Sequence, residues 1–206
     1  MPGLNLEFLS KPRNVNRPQA FHHPRRIPAP RETIRASIGI LSRRNVCHGR
    51  RIGQSQLDVL NIGSHLREQL KSKPCRVYPS DLKLRVEATG LFTYPDLSIV
   101  CGEPRLESDH GDVLLNPVVL VEVLSDSTEA YDRGKKFEHY RTIPSLQHYV
   151  LITQDRHSID CFTRSNGESW NLTSCQGLSG KITLEAIECE LLGSEVYDKV
   201  VFMNYE

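Results

Sequence analysis

Glu122 is a lone carboxylate inside an apolar run. In Pro117-Val-Val-Leu-Val-Glu-Val-Leu-Ser125 every residue from Val118 to Leu124 is apolar except this one. Such a run reads as a strand buried on both faces. An ionised group removed from water costs several kcal/mol unless it is paired or bound to a metal, so Glu122 needs a partner. Two side chains offer themselves: Asp96, which opens an apolar strand after Pro95, and Lys136, fourteen residues beyond Glu122 in a segment with helical signals. If the strands carrying Asp96 and Glu122 are neighbours, two carboxylates converge with a lysine close by. Two hard oxygen anions suit Mg²⁺, or Mn²⁺ in its place, an ion often held by only one or two protein carboxylates plus waters and substrate phosphate. There it polarises a phosphoryl oxygen and lowers the pKa of a bound water, while a lysine orients that water or stabilises developing charge. Taken singly, an Asp after Pro is most often a strand-entry residue and a helix lysine a solvated one. Only Glu122 demands a special explanation. Glycoside hydrolysis also uses two carboxylates, about 5–9.5 Å apart, but Lys136 and the single tryptophan, Trp170, argue against it.

The elements that would position these residues follow from periodicity. Ser55 is a candidate N-cap with Asp58 in the first turn, and Val59, Ile62, Leu66 and Leu70 mark one helical face before Lys73-Pro74 ends the helix. Cys75–Tyr78 reads as a short strand. Leu82, Leu84 and Val86 alternate with charged residues, as in a strand with one wet face. A turn at Ala88–Leu91 precedes the strand Pro95–Val100, and residues 101–116 read as a polar connection to the central strand 117–124. Ser127-Thr128 starts a helix that runs to about Arg141. His148–Thr153 is another apolar strand, and Asn166-Gly167 marks a hairpin between 157–163 and 168–172. A short strand at 181–184 and a helix over 195–202 complete the reading. Strands and helices in this order predict an α/β fold with a mixed β-sheet flanked by helices.

Composition bounds the class. The chain has 206 residues, 38% hydrophobic and 25% charged, in the range of a globular domain. No apolar run approaches the ~20 residues of a membrane span, and the N-terminus lacks a signal-peptide pattern, so the expectation is a cytoplasmic protein. The six cysteines are widely spaced, without the C-x-x-C or His spacing of a zinc site, and read as free thiols. The net charge of +1 hides an asymmetry. Residues 1–52 carry eleven Lys and Arg against two acids, and residues 53–206 carry fifteen against twenty-three. Residues 1–36, as in Arg25-Arg-Ile-Pro-Ala-Pro-Arg31, show no periodicity and few large apolar residues. Residues 37–52 add only a short apolar run, Ile38–Leu41, followed by four Arg, so the segment 1–52 is expected to be poorly ordered. Its basic character suits a nucleic-acid arm or a solvated tail.

Several motifs in order carry a resemblance. Pro74-Cys-Arg-Val-Tyr-Pro-Ser-Asp-Leu-Lys-Leu-Arg-Val86, Tyr94-Pro-Asp-Leu-Ser-Ile-Val100, Asn116-Pro-Val-Val-Leu-Val-Glu-Val-Leu-Ser125, the segment Ser127–Arg141 with its Asp132-Arg-Gly-Lys-Lys136 run, and Ile143-Pro-Ser-Leu146 resemble the Uma-type family of bacterial restriction endonucleases. That family is a branch of the PD-(D/E)xK nuclease superfamily. The resemblance covers about residues 55–200 and implies a restriction-endonuclease-like fold over 53–206, with a divalent metal at the sheet edge. It implies that Pro95-Asp96 is the PD element and that Glu122 is the second acid. The superfamily's usual lysine position, two residues after the acid, is Leu124 here. The family pattern Asp-Arg-Gly-x-Lys places the lysine at Lys136, with Lys135 at the variable position. Asp132, one turn earlier, can hold Lys136; Tyr140, one turn later, reads as packing, and Asp81 as a residue behind the site.

Two departures stand beside it. Ser125-Asp126-Ser127-Thr128 replaces the family's Ser-Pro-Ser-Thr, and residues 1–52 match nothing of the family's opening helix and Gly-Glu strand-turn, as if they were a different arm or out of frame. The expectation is a Mg²⁺-dependent endonuclease acting on DNA, with Asp96 and Glu122 on the metal, Lys136 assisting the water, and a homodimer suited to double-strand cutting. The competing expectation is a catalytically inactive remnant that binds DNA or a partner. The acidity of residues 53–206 favours it, because DNA affinity rests largely on Lys and Arg.

Overall fold

A computed structural model of the chain describes residues 52–107 and 112–202. The expectation for residues 1–52 therefore falls almost wholly outside the described residues. The first element is helix α1 (Ile52–Gln69), which starts three residues before Ser55. Strands β1 (Cys75–Pro79), β2 (Lys83–Val86), β3 (Leu91–Thr93) and β4 (Leu97–Cys101) follow, then β5 (Val113–Leu114) and β6 (Val119–Leu124). A continuous helical segment comes next: α2 (Glu129–Tyr131), a π-helical turn (Asp132–Lys136) and α3 (Phe137–Tyr140). The chain closes with β7 (His148–Thr153), β8 (Ser158–Arg164), β9 (Trp170–Gln176), β10 (Lys181–Leu184), β11 (Cys189–Leu192) and α4 (Gly193–Val196).

Six strands form the main sheet in the order β1-β4-β6-β7-β8-β9. All its pairs are antiparallel except β6 and β7, which run parallel. A parallel pair needs a long crossover, and the helical segment 129–140 supplies it. β6 and β7 are buried along their whole length, which is why both read as near-continuous apolar runs. Side chains of β6 alternate between two cores. Val119, Val121 and Val123 meet Ile62 and Leu66 of α1 and Leu70 just after it, together with residues of β10, β11 and α4. Leu120 and Leu124 meet Tyr140, Tyr149 and Leu151 with Leu84 and Val86 of a second sheet, β3-β2-β5. Each fully buried aliphatic side chain contributes about 1.5–3 kcal/mol, so the two clusters clamp the central strands from both sides.

The mixed α/β architecture is the one expected, and the β8–β9 hairpin turns where Asn166-Gly167 predicts. Gly167 has φ +77°, a conformation that favours glycine. Several expectations need correction. The connection 101–116 contains β5, which pairs in parallel with β2; two residues are too few for a visible alternation. The C-terminal helix is only Gly193–Val196, preceded by the unforeseen strand β11. Cys75 and Cys101 are not free thiols: the β1–β4 register sets them opposite each other and they are disulfide-bonded. Asp58 is not in the first turn, because α1 already starts at Ile52. It is fully buried on α1, and neither carboxylate oxygen has a hydrogen-bond partner.

Burial pushes the Asp58 carboxyl from 3.8 up to about 7. A carboxyl whose folded pKa is raised stabilises the fold below its unfolded pKa and loses that contribution as pH climbs to the folded value. For Asp58 the loss runs from about pH 4 to about pH 7. Asp58→Asn should therefore raise the urea midpoint at pH 8 and lose most of that advantage at pH 4. A pH-independent difference between the two proteins would contradict this reading.

Candidate active site

β4 and β6 are neighbours, paired Leu97↔Val121, Ser98↔Leu120 and Ile99↔Val119. One step further along this antiparallel register, Asp96 falls opposite Glu122, and directly opposed residues project from the same face. The two acids thus meet where the amino end of β4 passes the carboxyl end of β6. Asp96 is fixed by the backbone: the Val123 N–H donates to its Oδ2 at 2.7 Å. Its pKa is raised by burial, against which the Val123 N–H and the Lys136 charge pull it down.

Glu122 is 4% exposed. Its Oε1 receives two donors, Lys136 Nζ at 2.8 Å and the Tyr140 hydroxyl at 2.9 Å. Burial pushes its carboxyl up to about 7, Lys136 opposes that shift, and the charge of Asp96 adds to it. Lys136 Nζ also meets Asp132 Oδ1 at 3.1 Å. Burial of the ammonium acts to lower its pKa, but Glu122 and Asp132 outweigh it and hold the pKa above the usual lysine value. The lysine is a permanent cation shared between two buried acids.

The π-turn explains how one helix serves all of this. Asp132, Lys136 and Tyr140 are all buried, whereas Lys135 is exposed; burial thus separates the two lysines that sequence leaves adjacent. A π-turn adds a residue per turn and is frequent at functional sites. Two bonds anchor it to the sheet. Tyr149 on β7 donates its hydroxyl to the Asp132 carbonyl at 3.1 Å, and Arg133 reaches Asp160 on β8 at 2.6 Å. Arg133 also bonds Glu129 at 2.8 Å. Upstream, Ser125 and Thr128 hydroxyls lie 2.9 Å apart and Asp126 is exposed, so the charge added to this loop faces solvent.

The structure therefore brings together Asp96, Glu122 and Lys136, with Asp132 on the lysine. Asp81 is exposed in the β1–β2 turn. Sequence reasoning missed the bond from Tyr140 to Glu122, and it missed Arg133 and Asp160. Tyr140 had a signal, since it lies four residues after Lys136 on one helical face. Leu124, at the superfamily's lysine position, is buried in the core. Asp96 also borders a mostly apolar cavity of about 720 Å³ between α1 and the sheet, with Val59, Gly63, Leu97 and Val123 in its walls; Glu122 and Lys136 do not line it.

A mixed sheet flanked by helices, with two acids converging at adjacent strand ends and a lysine beside them, is a restriction-endonuclease-like α/β fold. The solved structure of "a putative nuclease belonging to DUF820 from Anabaena variabilis ATCC 29413" has the same fold, with a TM-score of 0.59 over 72% of this chain and 83% of that one at 14% identity. The sequence model of Uma2, described as "Putative restriction endonuclease", matches residues 49–192, and the chain belongs to that family. Two uncharacterized proteins of Synechocystis sp. (strain ATCC 27184 / PCC 6803 / Kazusa) are similar. The protein sll1609 is 30% identical over 122 residues, covering 59% of this chain and 69% of its own, and slr1290 is 34% identical over 128 residues, covering 62% and 66%.

Removing one partner of a buried ion pair typically costs about 3–5 kcal/mol because the other charge is stranded. Lys136→Met should destabilise the protein by about that much at pH 8. The deficit should shrink at pH 5, where Glu122, already raised to about 7 and higher still without its cation, takes up a proton. Urea denaturation at the two pH values measures the difference; a deficit that grows on acidification would refute the pairing.

Proposed function

We propose that the protein is a metal-dependent endonuclease that hydrolyses phosphodiester bonds of DNA, with Asp96, Glu122 and Lys136 as its catalytic residues. The observation that carries this reading is the convergence of Asp96 and Glu122 beside a buried lysine. The family's description and the fold of the DUF820 neighbour support it. Among the described residues no three His, Cys, Asp or Glu side chains form a metal cluster; Mg²⁺ is often held by one or two carboxylates with waters and substrate phosphate. The donor set fits Mg²⁺ or Mn²⁺: Asp96 raises the pKa of Glu122 by like-charge repulsion, which a cation between them would relieve. The hydrogen bonds described above engage Oδ2 of Asp96 and Oε1 of Glu122, and the second oxygen of each takes none of them.

In this reading Asp96 and Glu122 would hold the ion, which supplies polarisation of the scissile phosphate and acidification of a water. The chain does the rest. The Val123 N–H fixes Asp96, Tyr140 fixes Glu122, and Asp132 keeps Lys136 aimed at the space beside Glu122. The ammonium either orients the attacking water or stabilises charge growing on the phosphate. A cytoplasmic location is part of this proposal. Among the described residues no helix is long and apolar enough to cross a membrane.

The test is cleavage of plasmid and oligonucleotide DNA with Mg²⁺ or Mn²⁺, with and without a chelator. The expected result is chelator-sensitive cutting that falls about 100-fold or more in each of Asp96→Asn, Glu122→Gln and Lys136→Ala. Mn²⁺ affinity measured by calorimetry should fall in the first two and survive in the third. DNA binding without cleavage by the wild type, or cleavage that Glu122→Gln leaves intact, would overturn the assignment.

A further inference from the structure

The hairpin that delivers Asp96 carries a surface that its fold does not require. On the inner face of β2, Leu84 and Val86 are buried. On the outer face, Arg85 lies opposite Phe92, and the same register continued by one step sets Lys83 opposite Tyr94. Phe92 and Tyr94 are 50% and 54% exposed. Lys83 Nζ lies 5.9 Å from the Phe92 ring centroid and 5.5 Å from that of Tyr94, and the Arg85 guanidinium lies 5.5 Å from Phe92. Arg85 is further held by Glu107. Two open aromatic rings and two cations thus form one ladder, and a single residue, Pro95, separates Tyr94 from Asp96. Two residues of chain span at most about 7 Å.

Rings with cations beside them are what an unpaired nucleic-acid strand uses: bases stack on the faces and the cations meet the phosphates. A duplex cannot use them in this way, because its bases are already stacked and paired. Charge selects the same occupant. Residues 53–206 carry eight more acidic than basic side chains, so this part of the chain supplies little of the general attraction to phosphate that serves duplex binding, and affinity at this face falls to stacking. We propose that Phe92, Tyr94 and Lys83 are a stacking platform for unpaired nucleotides of DNA next to the phosphodiester held at Asp96. The substrate class is then single-stranded or branched DNA. This inference rests on the nuclease reading above for the role of Asp96, and on the hairpin surface alone for strand binding.

Fluorescence anisotropy of a labelled 20-nucleotide single strand and of the same sequence as a duplex, both in EDTA so that nothing is cut, tests it with the full chain. The wild type should prefer the single strand. Phe92→Ala and Tyr94→Ala should each weaken single-strand binding about 5- to 150-fold, Phe92→Trp and Tyr94→Phe should retain it, and Lys83→Gln should lower the slope of log affinity against log salt by about 0.7. Circular dichroism and thermal melting check that each variant is folded. Alanine variants that fold and bind the single strand as well as wild type overturn the platform, and so do variants that change only the oligomeric state, which would give the face to a second copy. If the wild type cuts no DNA yet the alanine variants lose strand binding, the nuclease reading fails and the platform stands. If Glu122→Gln abolishes cutting while the alanine variants bind normally, the platform fails alone.

Discussion

A carboxylate inside a strand buried on both faces sets the terms for everything around it. Glu122 cannot shed its desolvation cost by turning to solvent, because β6 has neighbours on either edge and a core on either face. Its compensation has to arrive from the crossover helix. That helix must be pinned closely enough to hold an ammonium 2.8 Å away, which is the work of Tyr149 and Arg133 at two sheet strands. The parallel β6–β7 pair, the long crossover it requires and the π-turn within that crossover form one chain of dependence leading back to a single acid. A buried ion pair is weak evidence of net stability, since desolvation offsets much of the attraction. An arrangement this costly is easier to understand as a device that keeps charge in place.

The parts of the fold written in local pattern were legible. The apolar runs at 118–124 and 148–153, the alternation at 82–86 and the Asn-Gly turn each state their structure within a few residues. The elements that escaped depend on distant partners. β5 exists because β2 offers it an edge, and β11 because β10 does. Asp58 sits where a surface acid is expected, and only the packing of α1 against the sheet and α4 takes it out of water. The cysteines were misread for the same reason, since the register of β1 on β4 cannot be seen in either strand alone.

The candidate site divides in the same way. Glu122 announced itself by contrast with its neighbours, and the dependence of Lys136 on Asp132 followed from helical spacing. The choice of Lys136 over Lys135 came from the family's Asp-Arg-Gly-x-Lys pattern and agrees with their burial, whereas the π-turn that carries them leaves no composition signal in Asp-Arg-Gly-Lys-Lys. Tyr140 was taken for packing and it does pack, against Tyr149; its hydroxyl binds an acid eighteen residues away, a contact that periodicity cannot report. Leu124 shows the reverse case. Once the amine is carried by the helix, the strand position is free to serve the core, and the site no longer has the spacing by which its superfamily is usually read.

Asp96 is answerable to two masters. Its Oδ2 accepts the Val123 N–H, a backbone donor two residues beyond the last rung of the β4–β6 ladder at Leu97–Val121. The side chain thus stands in for a missing strand carbonyl and sets the gap between the two strand ends. Length and charge are constrained separately at this one position. A glutamate would keep the charge but carry its oxygens a methylene too far for that amide, and an asparagine would span the gap without the negative charge. Only aspartate meets both demands, so the spacing of the two strands and the electrostatics between them are tied together by a single short side chain.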